Sequence, residues 1–194
     1  YRIEDADKVL KYTYEAGIEV TCNFMFGFPG ETEDDFQQTL DFLKSNGKYI
    51  TVAYPSRSYC TIEPHSYLEK HMEDFAMVPN NINNVYWESV DKKNHYPERL
   101  RRCEEFSKLA SESGVSIGSG LQTSIELDRC YNLGFYYESK NDIKKAISFF
   151  KRYLNLDPKN TVINKKLREL QAIDVGLIEE YKINPIEENL SEHR

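Results

Sequence analysis

The residues best placed to do chemistry lie in one stretch, Asn23-Phe24-Met25-Phe26-Gly27-Phe28-Pro29-Gly30-Glu31-Thr32. An apolar run ends there in a Gly-Phe-Pro-Gly turn, and an acidic helix start follows at once. Neither Gly27 nor Gly30 carries a Cβ, so a ligand can approach the backbone at both positions. The helix after the turn aims free N–H groups towards such a ligand. The chemistry this points to is binding, because the stretch pairs no nucleophile with a base. Gly27-x-x-Gly30 also lacks the third glycine of a dinucleotide fingerprint.

Other reactive residue types are scattered. Cys22, Cys60, Cys103 and Cys130 stand 38, 43 and 27 residues apart, and no pair has metal-ligand spacing. They read as reduced, buried thiols. His65, His71, His95 and His193 have no ligand spacing with any cysteine, and six residues between His65 and His71 do not put both on one helix face. No metal site is expected. Cys60 and His65 are close in sequence, but no third group orients them, so they read as structural. Arg57 follows the predicted second strand of the chain, where it either meets a substrate anion or sits on the surface; Tyr54 and Tyr59 are similar cases. Arg99, Arg101 and Arg102 read as a solvated helix face paired with nearby glutamates.

The elements that must position the glycine turn follow from hydrophobic period. Ile3 to Ala16 reads as a helix with Val9, Leu10, Thr13 and Ala16 on one side, stopped by Gly17. Ile18 to Phe26 suits a buried parallel strand. Thr32 looks like an N-cap with Asp35 as its capping-box partner. Phe36, Leu40 and Leu43 then face a core until Asn46-Gly47. Tyr49 to Tyr54 is the next strand, ended by Pro55, so residues 18–54 form a βαβ unit with parallel strands. Ser66 caps a short helix from Tyr67 to about Phe75. Residues 77–95 are loop-like, with Tyr86-Trp87 pinning them to the domain. Pro97 opens a helix whose apolar face is Leu100, Cys103, Phe106, Leu109 and Ala110, and Val115 to Ile117 is a strand or simply extended. Gly118-Ser119-Gly120 is the best linker. Helices are then expected at 125–139, from Asp142 to Leu156, and at 161–172, followed by an acidic, loosely packed tail.

The bulk numbers bound the class. The 194 residues, 40% hydrophobic and 29% charged, suit one or two soluble domains. A net charge of −7 argues against nucleic acid as a partner. There is no apolar run of ~18 residues and no visible signal peptide, so no membrane partner and a cytoplasmic location are expected. Opening on Tyr1 and entering an amphipathic helix directly reads as a chain whose N-terminal part is missing.

Two regions resemble known families. The helix ending Ala16-Gly17-Ile18, the apolar strand, Gly27-Phe28-Pro29-Gly30-Glu31-Thr32 and the acidic helix resemble the fifth and sixth βα units of radical S-adenosylmethionine (SAM) enzymes. Tyr86-Trp87, the Arg99-Arg101-Arg102 helix and Gly114-Val115 look most like the branch with an N-terminal cobalamin-binding domain. The resemblance implies an α/β fold: the C-terminal part of a partial TIM-type barrel, followed by an all-α extension. It implies SAM and a [4Fe–4S] cluster as cofactors, cobalamin as a further one, and radical chemistry, methyl transfer or rearrangement on a substrate the sequence does not name. Carried over, Asn23, Met25, Gly27, Phe28, Pro29 and Gly30 form the adenine-side wall of the SAM site, and Glu31 braces the turn. Family members often have glycine where this chain has Asn23. The family's three-cysteine loop and its Gly-Gly-Glu motif do not occur, so these residues alone cannot build the cluster.

Residues 127–160 resemble one tetratricopeptide repeat, carried by Leu133-Gly134, Tyr137, Ala146, Phe150 and Pro158. This implies a protein partner, and it supplies the rival reading: a non-catalytic interaction module on a degenerate α/β domain. The expected organisation is a barrel part at 1–117, a linker at 118–122, tetratricopeptide-like helices at 123–172 and a tail at 173–194.

Overall fold

The computed structural model describes residues 2–55, 60–118 and 125–183. Arg57, Tyr59, His193, linker residues 119–122 and the tail beyond 183 lie outside the described residues. The chain divides into two compact units, 1–122 and 123–194.

In the first unit, α1 (Ile3–Glu15) ends at Gly17, whose φ of 72° is the left-handed conformation that glycine adopts without strain. β1 (Thr21–Phe24) leads into the glycine turn, and α2 (Glu33–Asn46) follows. The predicted capping box is present: Asp35 N donates to Thr32 Oγ1 at 3.2 Å, and Thr32 N donates to Asp35 Oδ2 at 2.9 Å. Glu33, Asp34 and Asp35 occupy the first turn of α2, where carboxylates offset the helix dipole.

A short 3₁₀ turn at Gly47–Tyr49 replaces the start of the expected second strand, so β2 is shorter and later, Val52–Pro55. It pairs parallel with β1, Thr21 opposite Val52 and Asn23 opposite Tyr54. α3 (Tyr67–Lys70) is capped by Ser66 as expected but ends well before Phe75. The loop-like region holds a small antiparallel pair, β3 (Met77–Val78) with β4 (Glu88–Ser89). Its buried centre is Trp87, packed with Cys60, Ile62 and Met77. α4 (Tyr96–Glu112) has Pro97 in its first turn. β5 (Ser116–Ile117) is a true strand and pairs parallel with β2, so the sheet is three-stranded, in the order β1-β2-β5. Gly118, expected in the linker, belongs to the end of this sheet: its N–H donates to Ala53 O at 2.9 Å.

One face of the sheet is covered. Leu10 of α1, Phe36, Leu40 and Leu43 of α2, and Cys103, Phe106 and Ala110 of α4 form one core with Phe26, Ala53 and Val115. The other face is not covered by these helices. β1 therefore alternates between half-buried Cys22 and Phe24 and exposed Thr21 and Asn23, where burial on both faces was expected. The described residues close no barrel; the first unit is a small parallel sheet in a largely helical chain.

The second unit contains α5 (Ile125–Ser139), α6 (Ile143–Leu156) and α7 (Thr161–Ile183). Asp142 caps α6 by accepting from Lys145 N. Ala146 and Phe150 are fully buried in a core with Cys130, Ile163 and Leu170. A Cβ on Gly134 would overlap the Phe150 ring, which explains a glycine where two helices cross. α7 runs past the expected stop at Ala172, because no proline intervenes before Pro185 and Leu177, Glu179, Glu180 and Lys182 favour helix.

Candidate functional site

The glycine turn lies at the carboxyl end of β1. Its conformation demands glycine twice: φ is 77° at Gly27 and 89° at Gly30. The two glycines have opposite surroundings. Nothing lies within 4 Å of the place a Cβ on Gly30 would occupy. A Cβ on Gly27 would overlap Cγ and Cδ of Arg99. The space at Gly30 is open to a ligand, whereas the space at Gly27 is already filled from inside the protein.

The side chains of the stretch divide in the same way. Asn23 is exposed, and Met25 and Phe28 remain 56% and 51% exposed despite their apolar character. Tyr54, opposite Asn23 across the β1–β2 pair, is 43% exposed on the same face. Its ring packs on the backbone of Gly118, where a Cβ would overlap it. Phe28 also meets Phe75 edge-on at 6.3 Å between ring centres. Phe24 and Phe26 point the other way and pack against Phe106. Pro29 is half-buried.

Glu31 turns inward. Its Oε2 accepts from Gly27 N–H and lies 3.0 Å from Arg102 Nη1. Burial pushes its pKa above the usual carboxylate value, against the lowering effects of the Gly27 N–H and the Arg102 charge. It thus ties the two ends of the turn together and does not face the open side.

Sequence reasoning missed how the turn is held from behind. Arg99 and Arg102 are buried, not a solvated face; only Arg101 fits that reading, bridging Glu33, Glu98 and Glu105. The Arg99 guanidinium lies over the Trp87 ring at 4.2 Å. It donates to Asn94 Oδ1 at 2.9 Å, to Val85 O at 2.6 Å and to Trp87 O at 3.0 Å. Asn94 Nδ2 in turn donates to Gly27 O at 3.1 Å and to Phe28 O at 3.3 Å. Trp87 Nε1 donates to Cys60 O at 2.7 Å, which anchors the far end. A chain of buried polar contacts thus runs from Cys60 through Trp87, Arg99 and Asn94 to the turn. The available signal was spacing: Arg99 falls in the same helical row as Cys103, Phe106 and Ala110, all of which face the core.

The reactive residues do not assemble. None of the four cysteines is in a disulfide, and burial raises the pKa of Cys22, Cys60 and Cys130, the last to about 11. A thiol held protonated is a poor nucleophile. Among the described residues no group of three or more His, Cys, Asp or Glu could hold a metal ion. His71 stacks on Tyr67 at 4.0 Å and hydrogen-bonds Asp74 through Nδ1 at 2.9 Å. What remains at the turn is an open, part-apolar wall without a general base of its own among the described residues.

No helix among the described residues is long and apolar enough to cross a membrane. No curated protein and no solved structure matches the chain. Residues 127–160 match the family model of the tetratricopeptide repeat, in agreement with the packing of Gly134 against Phe150 in the second unit.

Proposed function

We propose that the first unit is a late segment of a radical SAM barrel and that Asn23, Met25, Gly27, Phe28, Pro29 and Gly30 form the adenine-side wall of its SAM site, braced by Glu31. The observation that carries this is the exposure of Asn23, Met25 and Phe28, with the unfilled space at Gly30, in the segment at and just beyond the carboxyl end of β1. Sheet architecture supports it. The three strands are parallel and follow chain order across the sheet, and α1, α2 and α4 share one face. A doubly wound fold covers both faces, whereas a barrel segment has helices outside and ligand chemistry at the carboxyl ends of its strands.

The fit to the cofactors is partial. Apolar Met25 and Phe28 suit a planar heterocycle, and Gly30 leaves room for close approach. Gly27 contributes through its fixed backbone, since Arg99 occupies its free side. A [4Fe–4S] cluster does not fit the cysteines here: Cys22 and Cys103 serve the first core, Cys60 lies beside Trp87, and Cys130 is in the second unit. In this reading the cluster ligands belong to residues other than these, and no radical step is derived from this chain. Cobalamin has no residue assigned to it.

The test is NMR of the labelled chain titrated with SAM and with adenosine at millimolar concentration. Shifts confined to Asn23–Glu31 and Tyr54 are expected. Unchanged spectra in both titrations would remove the wall. A second reading, a protein-interaction module, is favoured by the repeat at 127–160, since such repeats commonly mediate protein–protein contacts. Retention of a partner by residues of the second unit, with no nucleoside effect on the first, would favour it.

A further inference from the structure

We propose that the outward face of α6 docks an acidic segment of a partner protein. Charge is distributed unevenly along the chain. Residues 1–122 hold 13 Lys and Arg against 20 Asp and Glu, whereas residues 123–194 hold 12 of each. The whole net charge of −7 therefore belongs to the first unit. Within the balanced second unit, α6 holds Lys144, Lys145, Lys151 and Arg152 and no acidic residue.

The fold puts all four cations on one side. Ile143, Ala146, Ile147, Phe150 and Tyr153 are buried, and Lys144, Lys145, Ser148, Lys151, Arg152 and Asn155 are exposed. Two of the charges are answered locally, Lys145 by Asp142 and Arg152 by Glu126. Lys144 and Lys151 make no ion pair with a described residue, and both point away from the core. Seven residues apart, they lie two turns apart on one row, roughly 10 Å along the axis. That spacing matches two glutamates seven residues apart on a facing helix, which fixes the chemistry of the occupant.

Other polyanions fit less well. Nucleic-acid surfaces offer free aromatic faces for base stacking, whereas the rings beside the α6 cations are half-buried and already engaged: Tyr137 and Phe149 stack on each other at 5.5 Å, with Lys145 over the first and Arg152 over the second. A membrane-surface helix turns its apolar face to lipid, and here that face is the core. A short acidic segment reads the charge within a Debye length, and along α6 itself that charge is positive. This inference is independent of the SAM-wall reading and gives the interaction reading a surface and a partner chemistry.

The experiment is a titration of the full chain with a synthetic helical peptide bearing glutamates seven residues apart, followed by NMR and calorimetry. Saturable binding with shifts confined to α6 is expected. It should weaken at least about tenfold in the Lys144→Glu/Lys151→Glu double variant, and also between about 50 and about 300 mM salt. Both sites are exposed, so circular dichroism of the double variant should match the parent. No binding, binding that ignores the charge reversal, or tighter association with anionic vesicles or RNA than with the peptide would overturn the proposal.

Discussion

The side chain of Arg99 occupies the space that a side chain at Gly27 would need. One residue thus fixes the backbone of the other across 72 positions of sequence, and the turn keeps its shape because α4 reaches through it.

Gly27→Ala adds a methyl group at φ 77° and forces it into the Arg99 stem. The strained conformation and the overlap together predict a loss of about 3 kcal/mol, read from urea denaturation. Gly30→Ala has the same kind of φ but no neighbour within 4 Å, so about 1 kcal/mol is expected. Gly30 is therefore the cleaner probe of ligand approach. Equal losses at the two positions would contradict the packing described.

Arg99→Lys keeps a charge but loses the planar fork that serves Asn94, Val85 and Trp87 at once. About 2 to 3 kcal/mol of destabilisation is expected, with faster amide exchange in residues 27–31 and 85–87 together. Asn94→Ala should accelerate exchange in the turn while leaving Trp87 protected. Independent behaviour of turn and loop in Arg99→Lys would show that the contacts do not couple them.

Two glutamates should give opposite pH signatures. Burial acts to raise the pKa of Glu98, but the hydrogen bonds and charges of Arg101 and Arg102 outweigh it and hold the carboxyl below its usual 4.5. Its stabilisation is present above that value and is lost as pH falls through the depressed folded pKa. Glu31 is raised above 4.5, so its contribution is full below that pH and is lost as pH rises through the folded value. Urea midpoints measured from about pH 3 to about pH 7 should show Glu98→Gln flattening the acid limb and Glu31→Gln flattening the region just above it. A steeper acid limb in Glu98→Gln would reverse the assignment.

Gly134→Ala would ordinarily stabilise a helix interior by about 1 kcal/mol. Here the added methyl overlaps Phe150, so a net loss of about 1 to 2 kcal/mol is expected. Thermal melting of the variant should shift down. An upward shift would mean that α5 and α6 do not cross closely at this point.

Much of this protein is legible in its sequence because the relevant physics is local. Thr32 and Asp35 form the capping box predicted from three-residue spacing, and Gly17 ends α1 with a positive φ. Phe36, Leu40 and Leu43 face the core as helical period requires, and Gly134, Ala146 and Phe150 pack as the repeat spacing implies. Exposure along the glycine turn was not legible: residues 18–26 read as a buried strand, yet Met25 stands open, as do Phe28 and Gly30.

What the tertiary structure decided is the meaning of the individual residues. An arginine triplet looks solvated by composition, yet Arg99 and Arg102 are buried because their helical row faces the turn and finds carbonyls and carboxylates there. Gly27 looks like an invitation to a ligand until a residue from α4 is found in its place. Val115 to Ile117 gains a strand only because β2 offers an edge. Local sequence sets backbone preference and which faces are apolar. Which partner fills a gap between distant segments depends on chain folding, and no short-range pattern encodes it.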